Sequence, residues 1–260
     1  MDRVITDIDD LGVARVRLNN PDKHNAFDDQ MIGQLTEAFV AIADNSNVRV
    51  MVLGSEGKSF SAGADLEWMK RMASYSYEEN LRDASALALM LKTLNEIPQP
   101  TIARVQGAAF GGAVGLVSCC DMAVAASAAS FSLSEVKIGL VPATISPYVI
   151  AAIGQRAVRR YFVTAERFDA HRAMEIGLVN EVVDAEQLDQ EIDRLIDALL
   201  ANGPEAILAA KRLVFDIAGK PIDQQLIDST CETIAAIRVS EQGQEGLQAF
   251  LEKRKPHWLK

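Results

Sequence analysis

The chain has 260 residues, 49% of them hydrophobic and 24% charged, which is typical of a folded globular protein. Its net charge of −10 argues against a nucleic-acid partner held through phosphates, and no apolar run approaches the ~20 residues of a membrane span. The first residues resemble neither a signal sequence nor a transit peptide, so we predict a cytoplasmic protein. The three cysteines lack zinc-type spacing, and we expect them to be reduced and the protein to have no metal centre.

Strand and helix patterns alternate through the first part of the chain. Two amphipathic strands at the start have the alternation of a pair, and Asp28 is a candidate N-cap for the helix that follows. The predicted strands are 4–8, 13–18, 48–53 and 101–105, and the predicted helices between them end at Ala43 and span 77–96. Such alternation is typical of an α/β core.

The C-terminal part has a different pattern. From residue 185 to residue 251 strand signals vanish, and four helical patterns follow, separated by breaks that contain glycine. We therefore predict two units, an α/β core over 1–197 and a helical domain over 198–260.

A glycine-rich turn, 106–115, lies between the strand at 101–105 and small apolar residues that could open a helix. A strand, a tight turn and a helix start leave unpaired backbone N–H groups at the positive end of a dipole. These groups could hold an anion or an oxygen that becomes negative during a reaction. Close packing of a strand against a helix explains the same residues, so the turn alone leaves both interpretations open.

A second turn of small residues, 59–65, follows the strand at 48–53, and Asp65 is a candidate N-cap for the next helix. Neither turn has the spacing of a dinucleotide fingerprint or a phosphate-binding loop, and no GxSxG nucleophile motif is present. Trp68, Met69 and Met72 on that helix could line a pocket or the core.

Six short motifs occur in order along nearly the whole chain. They are Asn25-Ala26, Phe60 to Asp65, Gly107 with Gly111-Gly112, Cys120 to Ala125, Glu135 to Pro142, and Ala173 to Asn180. In identity, order and spacing they resemble the crotonase superfamily, the enoyl-CoA hydratase/isomerase family.

The resemblance implies a core of repeated β-β-α spiral turns and C-terminal helices that trimerise the protein, with trimers often paired into hexamers. It implies an acyl-CoA substrate and no cofactor beyond the coenzyme A which that substrate carries. The backbone N–H groups of Ala62 and Gly112 would form an oxyanion hole, and Glu135 would be the catalytic acid/base. The residues implied to contact CoA or substrate are Lys23, Ala26, Ala62, Gly63, Ala64, Asp65, Gly111 and Gly112.

Gly115 departs from the family pattern, because hydratases of this family usually carry a second glutamate there. The stretches 105–116 and 142–148 resemble bacterial methylglutaconyl-CoA and isohexenylglutaconyl-CoA hydratases. We therefore expect hydration of a 3-branched enoyl-CoA such as 3-methylglutaconyl-CoA. The carboxylate of the substrate, or a fixed water in the space left by Gly115, would replace the missing acid.

Three alternatives remain open from the sequence. A Δ3,Δ2-enoyl-CoA isomerase needs a single acid/base, which suits Gly115. An RNA-binding member of the superfamily is opposed by the acidic net charge. A catalytically silent subunit would not depend on Glu135.

Overall fold

The computed structural model describes residues 2–259 and contains two β-sheets surrounded by ten α-helices in that part of the chain. The strands are β1 Val4–Ile8, β2 Val13–Leu18, β3 Val50–Ser55, β4 Thr101–Val105, β5 Ala109–Phe110, β6 Met122–Ala126, β7 Ser130–Ser132, β8 Phe168–Asp169 and β9 Glu181–Val183. The helices are α1 Asp29–Ala43, α2 Leu66–Met72, α3 Tyr77–Glu96, α4 Gly112–Cys119, α5 Ser146–Thr164, α6 Ala170–Glu175, α7 Leu188–Leu200, α8 Pro204–Ile217, α9 Gln224–Val239 and α10 Glu241–Leu251.

The larger sheet has the order β1-β2-β3-β4-β6-β9, and all its neighbours run parallel except the antiparallel pair β1 and β2. Both predicted strands of that pair are confirmed, as is the N-cap Asp28, whose side chain accepts from the Met31 N–H. The predicted strand 48–53 is displaced to Val50–Ser55, because the Val48 N–H closes a turn onto the Asn45 carbonyl. The smaller sheet has the order β5-β7-β8.

The core lies on both faces of the larger sheet. One face packs against buried side chains of α1, α3, α4 and α5, and α7 covers part of the other with Leu188, Ile192 and Ile196. All six residues of β3 are buried, since this strand has helices on both sides. The α/β architecture that we predicted is therefore present, and its central strands end near the two glycine turns.

The C-terminal helices pack less tightly onto the core. Neither α8 nor α9 contains a buried residue, and several of their apolar side chains are largely exposed, including Val214, Ile234 and Val239. One side chain of α8 does contact the core. The Lys211 ammonium binds the Asp121 carboxylate at 2.7 Å and the Gln99 carbonyl at 3.0 Å. The predicted domain boundary after residue 197 falls inside α7, and the division itself stays a prediction.

Among residues 2–259 no helix combines the length and the apolar character needed to cross a membrane.

Candidate active site

The two glycine turns lie side by side because short backbone segments within them pair. The Ser61 N–H donates to the Ala108 carbonyl and the Phe110 N–H donates to the Ser61 carbonyl, each at 3.0 Å. Gly63 and Gly111 follow this bridge with φ of 95° and 56°, a region that favours glycine. A Cβ placed on Gly111 would lie 4.0 Å from the Gly63 Cα. The positive φ values therefore favour glycine at both positions, and the two turns lie in contact here.

The residue after each of these glycines has a free backbone N–H. Within the described part of the chain, the N–H groups of Ala64 and Gly112 have no protein acceptor. Gly112 is the first residue of α4, so its N–H lies at the positive end of the helix and has no partner inside it. The two turns thus present two uncommitted donors from neighbouring segments, which is the composition of an oxyanion hole.

Ala62 does not have a free donor. Its N–H donates to the His24 carbonyl at 2.9 Å, so it is already satisfied inside the fold. Ala64, two residues later, is held in place because the Phe27 N–H binds the Gly63 carbonyl and the Asp65 N–H binds the Phe27 carbonyl, both at 2.7 Å. The prediction of Ala62 as the free amide is contradicted by this bond, and Ala64 is the available donor.

Glu135 lies beside these turns, at the first position of a 3-10 helix that spans Glu135–Ile138. A Cβ placed on Gly111 would lie 3.4 Å from Glu135 Oε1, so the carboxyl group faces the Gly111 Cα. The other oxygen, Oε2, is buried and has no hydrogen-bond partner among residues 2–259. Burial raises the pKa of Glu135 above the ordinary glutamate value. A partly buried carboxyl group with one unpartnered oxygen is suited to proton transfer.

Gly115 is buried three residues after Gly112, and the space beside it is filled. A Cβ placed there would lie 2.4 Å from Ile145 Cγ2 and 3.4 Å from Leu91 Cδ2. The expectation that a fixed water occupies the space left by Gly115 is therefore wrong, since the Ile145 side chain occupies it.

The residues predicted to contact CoA cluster next to the Ala64 turn. Ala62 and Ala64 are exposed, and Gly63, Ala26 and Asp65 are buried around them. Asp65 is 5% exposed and caps α2 by accepting from the Glu67 and Trp68 N–H groups. The Lys23 ammonium binds Asp65 at 2.7 Å and lowers its pKa.

The structure gives roles to two residues near the site whose roles the sequence left open. The side chain of Asn25 is fully buried, accepts from the Asn20 N–H and donates to the carbonyls of Glu56 and Ser59, so it fixes the loop that carries Lys23. Trp68 belongs to the core, and its ring N–H donates to Asp83 at 2.8 Å. Asn25 belongs to the Asn25-Ala26 motif, but its role depends on hydrogen-bond partners in other segments that the motif does not reveal.

Residues 2–259 contain no group of three or more side chains arranged to hold a metal ion.

Comparison with known proteins identifies the family. The family model described as enoyl-CoA hydratase/isomerase matches residues 9–260. The chain belongs to the enoyl-CoA hydratase/isomerase family. The crotonyl-CoA hydratase of Syntrophomonas wolfei is 29% identical over 250 residues, which cover 95% of this chain and 94% of that protein.

Solved structures of relatives share the whole fold. An enoyl-CoA hydratase from Shewanella pealeana is 49% identical and superposes with a TM-score of 0.95, over 98% of this chain and 96% of its own. Pseudomonas aeruginosa AtuE is 33% identical with a TM-score of 0.94, over 99% of this chain and all of its own (100%). The predicted crotonase-type fold and the prediction of an enzyme of this hydro-lyase family are confirmed.

Proposed function

We propose that this member of the enoyl-CoA hydratase/isomerase family adds water reversibly to a 3-branched α,β-unsaturated acyl-CoA such as 3-methylglutaconyl-CoA. The observation that carries the proposal is the pair of free amides, at Ala64 and Gly112, beside the partly buried carboxyl group of Glu135. Two donors and one acid/base are the groups that conjugate addition to a thioester requires.

The thioester oxygen accepts hydrogen bonds from the Ala64 and Gly112 amides. Ionised Glu135 takes a proton from water as the water oxygen bonds to C3, and the electrons of the C2–C3 double bond move onto the thioester oxygen. The two amides stabilise this enolate, and loss of one such donor typically costs about 3–4 kcal/mol of barrier. Glu135 then returns the proton to C2 as the carbonyl re-forms. The product contains one added water, and Glu135 is ionised again.

The environment of Glu135 supports both halves of this reaction. Because burial raises its pKa, the carboxylate is a stronger base than an exposed glutamate and its acid form is more accessible near neutral pH. The base form must be present when substrate binds. We therefore expect kcat/KM to fall as the pH is lowered through the raised pKa of Glu135.

The proposed substrate class rests on sequence stretches around the site. Residues 105–116 and 142–148 resemble hydratases that act on glutaconyl-type thioesters, and the second stretch contains Ile145, which packs against Gly115. Such substrates carry a distal carboxylate of their own. We propose that this carboxylate replaces the acid that Gly115 lacks.

An isomerase that moves a double bond between C3 and C2 is a second candidate. Its support is the aliphatic contact of Ile145 and Leu91 at Gly115, which leaves Glu135 to carry a proton from one carbon to another without water. Product analysis in H2-18-O water separates the two reactions, because only hydration places the label in the product.

The test of the proposed function compares 3-methylglutaconyl-CoA with crotonyl-CoA as substrates of the purified enzyme. We expect a higher kcat/KM for the branched substrate, 18-O in its product, and loss of turnover in Glu135→Gln. Faster turnover of crotonyl-CoA would refute the substrate assignment, and full activity in Glu135→Gln would refute the role of Glu135 as the acid/base. Absence of turnover in the wild type would indicate a catalytically silent subunit. Salt-sensitive RNA binding in a gel shift would revive the RNA-binding alternative.

We also propose that the C-terminal helices assemble the protein into a homotrimer or a dimer of trimers. The exposed apolar side chains of α8, α9 and α10, among them Val239 and Phe250, support this assembly because such a surface is costly in water. Light scattering coupled to size-exclusion chromatography would give the mass, and a monomeric mass at micromolar concentration would refute the proposal. We expect a cytoplasmic protein whose activity survives dialysis against a chelator.

A further inference from the structure

Gly115 and Ile145 are packed too closely for any other residue at position 115. A Cβ on Gly115 would lie 2.4 Å from Ile145 Cγ2 and 2.9 Å from Ile145 Cβ, both shorter than real Cβ contacts. Both Ile145 atoms belong to the first two carbons of the side chain, so rotation of its far end cannot relieve the clash. The choice of glycine at 115 is therefore tied to isoleucine at 145.

The crowding is local to this contact and is not a general property of α4. Gly112 lies one turn earlier, three residues from Gly115 and on the same side of the helix. A Cβ on Gly112 would touch only the Phe27 ring, at an ordinary 3.5 Å. The crowding is therefore greater at Gly115 than one turn earlier, at the residue with the free amide.

Ile145 lies on the same stretch of chain as Glu135, and each has its own local backbone hydrogen bond. The Glu135 carbonyl accepts from the Leu140 N–H at 3.1 Å, and the Ile145 carbonyl accepts from the Val149 N–H at 3.1 Å in the first turn of α5. Ile145 is only 2% exposed. The segment 135–145 therefore places a carboxyl group on one side of the Gly111-Gly112 turn and a rigid hydrocarbon side chain beside Gly115.

We propose that Ile145 is a specificity-determining residue, a proposal that rests on the proposed function. Its side chain keeps water and any polar side chain away from the Gly115 side of the oxyanion turn. Among the protein's side chains proton transfer then depends on Glu135, and substrates that bring a carboxylate of their own are preferred over simple enoyl thioesters. Shortening the side chain at 145 should reduce that preference.

The first measurement tests the contact through thermal stability. We expect Gly115→Ala to lower Tm by about 3–10 °C, the range for overpacking a core in a chain of this size. In an Ile145→Gly background, which removes both clashing atoms, the same substitution should lower Tm by less than about 2 °C. In Ile145→Ala the relief should be partial, since the Cβ remains at 2.9 Å. Equal losses in all three backgrounds would overturn the assigned contact.

The second measurement tests specificity. The ratio of kcat/KM for crotonyl-CoA to that for 3-methylglutaconyl-CoA should rise from wild type through Ile145→Val to Ile145→Ala. In the Ile145→Gly background, adding Gly115→Glu should raise kcat/KM for crotonyl-CoA by about 10²-fold, the low end for an added proton-transfer group. A flat ratio across the folded single variants would overturn the proposal even if the double variant fails to fold.

The two proposals can fail separately. If the wild-type enzyme hydrates neither thioester, the proposed function fails while the Tm series still reports the Gly115–Ile145 contact. If it hydrates 3-methylglutaconyl-CoA but the ratio of the two kcat/KM values does not change with the side chain at position 145, only the proposed role of Ile145 fails.

Discussion

Replacing Glu135 with glutamine should separate activity from stability. The amide has nearly the shape of the carboxyl group but cannot accept and return a proton. We expect kcat to fall by about 10²–10⁴-fold, the usual contribution of a positioned acid/base. The same substitution removes a charge that the fold buries next to Gly111 with Oε2 unpartnered.

The sign of the stability change follows from the direction of the pKa shift. Burial raises the pKa of Glu135 in the folded state, so the folded protein holds that proton more tightly than the unfolded chain. The resulting stability is fully present below the pKa of the unfolded chain and is lost as the pH rises through the raised folded pKa. At pH 8 the wild type therefore carries the cost of an ionised Glu135, and the glutamine variant does not.

The magnitude can be bounded from the burial of the group. An unpaired buried polar group costs about 1–3 kcal/mol, and the low end of about 1 kcal/mol applies because the Glu135 side chain is only partly buried. For a chain of this length that corresponds to a Tm gain of about 2–4 °C at pH 8 relative to pH 4. The gain should shrink toward zero as the pH falls.

The assay is thermal unfolding of both proteins from pH 4 to pH 8 at fixed protein concentration. Glu37→Gln, on the exposed side of α1, is the matched control for loss of one negative charge. A Tm difference for Glu135→Gln that stays constant across this range, or that follows the Glu37→Gln control, would refute the argued link between burial and the acid/base.

Three further predictions concern groups around the site. Replacing the Ala64 amide by an ester, through incorporation of lactic acid, should lower kcat by about 10²–10³-fold with little change in Tm. The same change at Ala62 should lower Tm with a smaller effect on kcat. The reverse pattern would restore Ala62 as the oxyanion donor. Asp65→Ala should lower the free energy of unfolding by about 1–2 kcal/mol, because it removes the cap of α2 and the partner of Lys23. It should also raise KM more than it lowers kcat, and an unchanged KM would exclude this loop from CoA binding. Lys211→Met should speed hydrogen exchange in α8 by about tenfold, and unchanged exchange would show that its ion pair does not hold the helix.

Much of the fold could be predicted because its signals are local. Alternation over 4–8 and 13–18 and the prolines after 77–96 mark elements whose boundaries depend on neighbouring residues. β3 begins two residues later than predicted, at Val50, and the reason is also local: the Val48 N–H closes a turn. Such a turn is decided by backbone hydrogen bonds that leave no clear residue signature.

The details of the site depend on contacts between distant residues, and these could not be predicted. Glu135 and Gly112 could be assigned from motifs, but whether Ala62 or Ala64 has the free amide depends on the His24 carbonyl, far earlier in the chain. Gly115 suggests empty space when only its neighbours are considered. Ile145 fills that space from another element.

The backbone bridge between Ser61 and Ala109 has a consequence for how this enzyme could change over time. The bridge sets the spacing of the two glycine turns through main-chain hydrogen bonds, so that spacing does not depend on which side chains surround it. In the proposed mechanism, substitutions at Ile145 or Leu91 would change the packing beside Gly115 while the Ala64 and Gly112 amides stay where they are. Substrate preference can therefore drift in small steps without a loss of the basic chemistry at any stage.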